Sequence, residues 1–357
     1  MEGAAEPFDY YDELGLGGRS SIVDRLPQDW SFEGKRVLDF GCGAGRTLRH
    51  FVAETAEAEF WGCDIDEASI SWMSEYLCPP FHVFVNGPEP PLEQPDSSFD
   101  LIWGISVFTH LTDSWSRWLV ELHRILKPDG LLYLTFMGSG MSELITGEPW
   151  QEDGTGMNVT KCGQSWDLGG PMVMHSPWWV QEHWGRAFEI LSLLPDGFVV
   201  PDGPAGPQST GQGSVLMRKR AQVVDPAALE RVEPGDARET SALLHSIQQL
   251  QGECATLRGE LVATAGIAAR EVTAAKEDAG AARKRSRHSA QRLLEVEEIL
   301  AQARARIFDL ENELDARGET IADMQSRLDR ADRVLRSVKA SLSWRITAPL
   351  RALKQRA

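Results

Sequence analysis

The nine residues Val37–Gly45, VLDFGCGAG, constrain this chain more than any other stretch. Fully buried parallel strands are apolar throughout, so Val37 and Leu38 read as the end of such a strand. Asp39 then falls at the strand's carboxyl end, the edge at which open α/β sheets bind ligands. Gly41, Gly43 and Gly45 permit a sharp turn and let a ligand approach bare backbone. The following RTLRHFVAE predicts a helix whose first free N–H groups point back at that ligand. A dinucleotide fingerprint needs a glycine where this chain carries Arg46, which turns the reading away from nicotinamide and flavin cofactors.

The rest of the first half alternates strands with helices. Residues 8–36 are a lead-in in which SIVDRLPQDW supplies at most one short helix; Tyr10 and Tyr11 either fold over a ligand or pack. AEFWGCDID is a second strand ending in Asp64, about twenty residues past the glycines, where a carboxylate accepts hydrogen bonds from ribose hydroxyls. Ile65 follows as an apolar plate. A helix (EASISWMSEYL) leads to a third strand, FHVFVN, ending at Asn86; FDLIWGISVFTHL is a fourth strand with its exit loop. SWSRWLVELHRILK carries Trp118, Leu119, Leu122, Ile125 and Leu126 at helical spacing and stops at Pro128, and LLYLTFM is the fifth strand. That rhythm implies a parallel, doubly wound sheet with right-handed crossovers. Residues 138–183 lose it. They are rich in Gly and Trp (Trp150, Trp166, Trp178, Trp179) and predict an insertion over the sheet's carboxyl edge. FEILSLLP and GSVLMRKR, joined without a helix, predict an antiparallel pair.

Composition enters where it excludes classes. A net charge of −17 weighs against a partner bound through phosphate contacts, such as nucleic acid. The five cysteines (Cys42, Cys63, Cys78, Cys162, Cys254) form no C-x-x-C pair and are odd in number, the pattern of free thiols in a reducing compartment. No residue group has metal-ligand spacing. The first residues lack a basic segment and an apolar core, and no run reaches the 18 apolar residues of a membrane span. The expectation is a cytoplasmic protein without metal.

The chain divides into a domain over 1–220, a linker over 221–240 with Pro226 and Pro234, a coiled coil over 241–343, and a basic tail over 344–357. One heptad register runs Leu243, Ile247, Leu250, Cys254, Leu257, Leu261, Thr264, Ala268. A second places Leu293, Leu300, Ile307, Leu314, Ile321, Leu328, Leu335 and Leu342 every seven residues. Val296, Ala303, Leu310, Met324, Ala331 and Val338 complete it, with Arg317 as its one polar interruption. The registers are out of phase, so a break lies in the Ala-rich, basic stretch 274–292. The apolar stripe predicts a homo-oligomer; an antiparallel hairpin folded at the break is the competing arrangement. The tail, with Trp344, Arg345, Arg351, Lys354 and Arg356, suits an anionic membrane surface, the inner face of the plasma membrane, or a protein partner.

VLDFGCGAGRTL, WGCDID, FDLIWGISVFTHL and ELHRILKPDGLLYLTF together resemble the class I S-adenosylmethionine-dependent methyltransferases, over roughly residues 8–220. The resemblance implies a Rossmann-like seven-stranded sheet with its last strand antiparallel. It implies S-adenosylmethionine held by Asp39 and the backbone of Gly41, Cys42, Gly43 and Gly45 at the methionine end. Asp64 takes the ribose, Ile65 the adenine face, Asn86 the adenine amino group, and Ser106 lines the pocket near the sulfonium. FTHL, MHSPWWV and GQGSVLMRKR are similar to methyltransferases of bacterial surface-polysaccharide clusters, and SLSWRITAPLR is similar to a motif that follows coiled coils in bacterial glycosyltransferases. Related chain terminators carry a kinase domain for which residues 221–240 leave no room. The implied activity is O-methylation of a sugar hydroxyl on a cell-surface glycan, with a glycosyltransferase as a partner for the tail. A hydroxyl nucleophile needs a general base, and histidine titrates in the useful range: His110, on the loop after the fourth strand, comes first and His175 second. The alternatives are a methyltransferase for a small molecule or natural product, and a non-catalytic coiled-coil scaffold.

Overall fold

The computed structural model describes residues 7–147, 149–160, 170–203, 206–209, 211–222, 224–233, 235–282 and 289–340. The elements, in chain order, are α1 (Pro7–Val23), β1 (Arg36–Phe40), β2 (Glu59–Asp64), α2 (Glu67–Tyr76), β3 (His82–Val85), β4 (Phe99–Gly104), α3 (Trp115–Ile125), β5 (Leu126–Met137), α4 (Ser139–Thr146), β6 (Met157–Thr160), β7 (Met172–His175), α5 (Pro177–His183), β8 (Phe188–Leu194), β9 (Val199–Gly203), β10 (Gly206–Ser209), β11 (Gln212–Lys219), α6 (Pro226–Glu230), α7 (Ala237–Ala282) and α8 (Ser289–Ala340). They form two units, residues 1–242 and 243–357.

In the first unit, side chains alternate across one sheet, so each strand feeds two cores. Leu38, Phe40, Ile102, Leu132, Leu134, Phe136, Val215 and Met217 face α3 and α5, and Val37, Phe60, Leu101, Trp103, Leu131, Tyr133 and Leu216 face the side of Ile22, Ile70 and Met73. The strand order is β3-β2-β1-β4-β5-β11-β8, with β1 parallel to β2 and β4, β4 parallel to β5, and β11 antiparallel to both β5 and β8. This is a Rossmann-like sheet of seven strands along its main path, with β11 antiparallel to its neighbours. The insertion extends it: β7 pairs with the last residue of β5 (Met137 with Met174), and β6 pairs antiparallel with β7.

Three expectations change. The lead-in is a 17-residue helix, α1. Gly15, Gly17 and Gly18 weaken helix propensity, but close packing requires the first and third. A Cβ on Gly15 would lie 2.1 Å from the Arg46 carbonyl oxygen, and one on Gly18 2.7 Å from Thr47 Oγ1. The helix expected after the glycine turn is reduced to single 3₁₀ turns, Leu48–Phe51 and Glu54–Ala56. The segment drawn as a linker over 221–240 is packed. Val224, Leu229 and Ala242 are buried in the same core as Trp178, Trp179 and Trp184, which moves the end of the domain from 220 to 242.

The second unit is an antiparallel pair of long helices within one chain. Ile247 and Leu250 of α7 cluster with Met324, Ile321 and Leu328 of α8, while Glu253 pairs with Arg317, so numbers rise on one helix as they fall on the other. The seam assigned to an oligomer is thus occupied inside the chain, as in the hairpin alternative. Arg317, the polar interruption, is buried and also meets Glu313 at 2.8 Å. Of the break expected over 274–292, residues 274–282 and 289–292 are helical in α7 and α8, and 283–288 lie outside the described residues, as do the tail (344–357), with Trp344, Arg345, Arg351, Lys354 and Arg356, and Cys162 and Trp166. No helix among the described residues is long and apolar enough to cross a membrane.

Candidate active site

The glycine turn closes on itself. Gly41 and Cys42 both donate their N–H to the Cys63 carbonyl at 2.8 and 3.0 Å, and Gly45 donates to the Cys42 carbonyl at 2.9 Å. Gly43 donates to Asp64 Oδ2 at 2.7 Å. These four N–H groups are therefore satisfied within the chain, which leaves the turn's carbonyl oxygens as the backbone groups that can meet an ammonium. A 3₁₀ turn does not offer the anion site of a full helix. What the turn offers is clearance. All three glycines have positive φ (+80°, +52° and +73°). A Cβ on Gly41 would strike Val107 Cγ2 at 2.3 Å and one on Gly45 would strike Met73 Cε at 2.7 Å, whereas one on Gly43 would meet nothing within 4 Å. Gly43 is the open point. Cys42 turns its Sγ inward to Met73 Sδ at 3.8 Å, and burial pushes its thiol up, so its side chain is core and not a cofactor contact.

Around that point stand three groups with unmet demands. Asp39 is 2 % exposed, and its Oδ2 is buried with no hydrogen-bond partner among the described residues. Burial pushes this carboxyl up to about 7; the Trp103 indole and the more distant Arg46 offset the effect in part, while Asp64 adds to it. Asp64 accepts from Gly43 and, at 2.9 Å, from the Asp66 N–H, which fixes its carboxylate with lone pairs to spare. Asn86 donates Nδ2 to the Gly87 carbonyl at 2.8 Å, and its Oδ1 is buried and unpartnered among the described residues. Ile65, next along the chain from Asp64, is 40 % exposed.

On the far side of the edge, Ser106 adopts φ +61° just after β4. Its N–H donates to Thr135 Oγ1 at 2.8 Å and its hydroxyl lies 2.9 Å from Gln212 Nε2. Strained non-glycine residues persist where the surroundings hold them, often at functional sites. Gln212 had no signal in the sequence. His110 Nδ1 meets the Pro171 carbonyl at 2.7 Å, so this nitrogen carries the proton and Nε2 keeps a lone pair. Beside it the Val173 N–H donates to the Thr109 carbonyl at 2.8 Å, tying the insertion to the same loop. His175 goes elsewhere. It is fully buried between Trp179 and Trp184, and burial, reinforced by His183, lowers its pKa to about 3. Closed from solvent and so weakly basic, it is not placed to act as the base. Tyr11 packs under Arg46 and Arg49 at 5.8 and 4.8 Å, and Tyr10 is exposed. Among the described residues no group of three or more His, Cys, Asp or Glu is arranged to hold a metal ion.

The donor set fits S-adenosylmethionine. A buried carboxylate with one unpartnered oxygen suits an ammonium, a fixed carboxylate suits a ribose diol, and an unpartnered amide oxygen near an exposed aliphatic plate suits an adenine with its amino group. Residues 38–132 match the family model described as a methyltransferase domain. Among curated proteins the chain is 32% identical over 115 residues to a phthiotriol/phenolphthiotriol dimycocerosates methyltransferase of Mycobacterium ulcerans, covering 32% of this chain and 42% of that one. It is 30% identical over 103 residues to a fatty-acid O-methyltransferase of Mycolicibacterium smegmatis, covering 29% and 37%. The chain thus spans less than half the length of these curated relatives. Among solved structures, an S-adenosylmethionine dependent methyltransferase from Mesorhizobium loti aligns at 18% identity and TM-score 0.44, over 57% of this chain and 98% of that one.

Proposed function

We propose that residues 1–242 are an S-adenosylmethionine-dependent methyltransferase that methylates a hydroxyl oxygen, and that the acceptor is a sugar of a bacterial cell-surface glycan. The observation that carries the cofactor reading is the pair of buried, unpartnered oxygens, Asp39 Oδ2 near the end of β1 and Asn86 Oδ1 just past β3, the two strands that flank β2 and its Asp64. Asp39 takes the ammonium, Asp64 the ribose, and Ile65 with Asn86 the adenine. When bound, S-adenosylmethionine supplies a methyl group on a sulfonium leaving group. The chain's own part is positioning and proton removal. His110 Nε2 takes the acceptor's proton while Nδ1 stays on the Pro171 carbonyl, which fixes tautomer and ring orientation together.

The glycan assignment rests on the resemblance of FTHL, MHSPWWV and the C-terminal motif to surface-polysaccharide enzymes. A lipid acceptor is the second reading, favoured by the substrates that the mycobacterial relatives' names state. One experiment separates them. Purified protein and methyl-labelled S-adenosylmethionine are incubated with a cell-envelope extract, which is then split into glycan and lipid fractions. Label in alkali-stable glycan ethers supports the proposal; label in lipid replaces the acceptor; no binding of S-adenosylmethionine by calorimetry removes the enzyme reading in favour of a scaffold.

A further inference from the structure

Residues 225–242 carry more polar machinery than a connection needs. Asp225 caps α6 by accepting from the Ala228 N–H at 2.7 Å. At the other end of that helix, Arg186 Nη1 donates to the carbonyls of Ala228, Leu229 and Arg231 at 2.9, 2.9 and 2.6 Å, satisfying the carbonyls a helix terminus leaves free. Ser116 donates to Glu230, and the Arg238 guanidinium, held by Asp236, lies 4.7 Å over the Trp178 ring. At the centre is His183, 1 % exposed. Its Nδ1 meets the Leu229 carbonyl at 2.7 Å and its Nε2 meets Glu239 Oε1 at 3.0 Å, with Glu239 itself 4 % exposed. Both ring nitrogens of His183 thus meet oxygen atoms of this segment. Glu239 Oε1 also accepts from the Glu233 N–H at 3.2 Å.

This clasp leads by direct contacts to the acceptor side. His183 stacks on Trp179 (4.2 Å, 19°), and Trp179 lies 5.3 Å from His175, the last residue of β7. The Ser176 N–H bonds the Gly156 carbonyl at 3.0 Å. Gly156 has no room for a Cβ, which would lie 2.9 Å from Trp179 Cδ1 and 3.0 Å from Ala242 Cβ. Just before β7, the Pro171 carbonyl holds His110. An apolar pair would bury this surface at lower desolvation cost; a hydrogen-bonded polar pair fixes one arrangement.

We propose that residues 225–242 are a strap, with His183 and Glu239 as positioning residues, that locks α5 and β7 in place and thereby sets the orientation of His110. The purpose of that orientation rests on the reading of His110 as the base; the position itself does not. The test uses the full chain with Glu239→Gln and, separately, His183→Gln, read by hydrogen exchange and by ¹⁵N NMR of the His110 ring, with S-adenosylmethionine affinity alongside. Removing one partner of a buried pair should raise amide exchange on the order of a hundredfold in 225–242, 172–176 and 177–186, with β1, β4 and β5 unchanged. His110 should lose its single Nδ1–H tautomer, and cofactor affinity should stay within about twofold of wild type. Exchange confined to 233–242, or raised evenly over the sheet, or an unchanged His110 signal, overturns the strap. Should either variant fail to fold, Glu239→Asp must show the same pattern at smaller amplitude, and an even spread in it counts against the proposal. Failure of the wild type to bind S-adenosylmethionine would sink the enzyme reading while leaving the exchange result standing.

Discussion

Asp39→Asn should stabilise the unliganded domain and weaken cofactor binding in the same stroke. The carboxyl is 2 % exposed, with an Oδ2 that no described group satisfies, and its pKa rises from 3.8 to about 7. For an acid so shifted, the folded state holds a proton that the unfolded chain has released, so stability falls as pH rises from about 4 to 7. At 1.36 kcal/mol per unit, the roughly three-unit shift amounts to about 4 kcal/mol of lost stability at pH 8. Asparagine keeps the shape of the protonated acid and removes that loss. Urea unfolding followed by tryptophan fluorescence reports the right unit, because eleven of the chain's twelve tryptophans lie in residues 1–242. The variant should exceed wild type by about 4 kcal/mol at pH 8, by less than half of that at pH 5, and by almost nothing near pH 4. Calorimetry should show S-adenosylmethionine binding at least about tenfold weaker, since a hydrogen bond to a charged group is typically worth about 1.5–3 kcal/mol. Wild-type affinity should also fall as pH drops below 7. A stability gap independent of pH, or an asparagine variant less stable at pH 8, would show that the Asp39 charge is already compensated and that the ammonium assignment lacks its premise.

Asp64→Ala removes the acceptor of the Gly43 and Asp66 N–H groups as well as the expected ribose contact. Calorimetry should show no cofactor binding by a chain that still folds, and retained affinity would show the ribose assignment to be wrong. His110→Ala should lower turnover by about 10²–10⁴ with cofactor affinity unchanged, once the labelled acceptor is in hand; an unaltered rate removes it from the mechanism. A fragment ending at 242 should be monodisperse and bind S-adenosylmethionine, whereas one ending at 220 should aggregate because it strips Leu229 and Ala242 from the aromatic core. Equal behaviour of the two in light scattering would return 221–240 to the status of a linker.

The sheet was legible because its signals are local: apolar strands, glycines at their ends and amphipathic helices between them fix element type and order without tertiary information. The places of Asp39 and Asp64 at the carboxyl ends of β1 and β2 were legible for the same reason. What failed needed contacts across the fold. Three glycines argue against a helix over 7–23 until Arg46 and Thr47 supply the surfaces that leave no room for side chains. Cys42 counts as a loop residue until Met73 draws its sulfur inward. Gln212 and Pro171 lie 106 and 61 residues from the groups they touch, Ser106 and His110, and no spacing rule joins them. His175 shows the opposite error. A histidine in an insertion over a ligand edge looks available, yet Trp179 and Trp184 bury it with their own bulk.

The helical unit sharpens that distinction between a pattern and its partner. Every position of the first register is buried or half-buried, and the described members of the second follow suit except Leu293, so heptad spacing located the seam almost residue by residue. Spacing cannot say whose helix fills the other side, because an a/d stripe has the same periodicity in a dimer and in a hairpin. The information that decides it is polar. Glu253 lies on α7 and Arg317 on α8; their pairing in the seam, six residues on from Ile247 on one helix and four back from Ile321 on the other, fits helices that run in opposite directions, and Glu313 completes the guanidinium's partners. A parallel dimer in register would set each buried Arg317 against its own copy, and two like charges in a seam are costly unless both are paired. The residue that reads as a flaw in the heptad pattern is thus one whose charge is met within the hairpin.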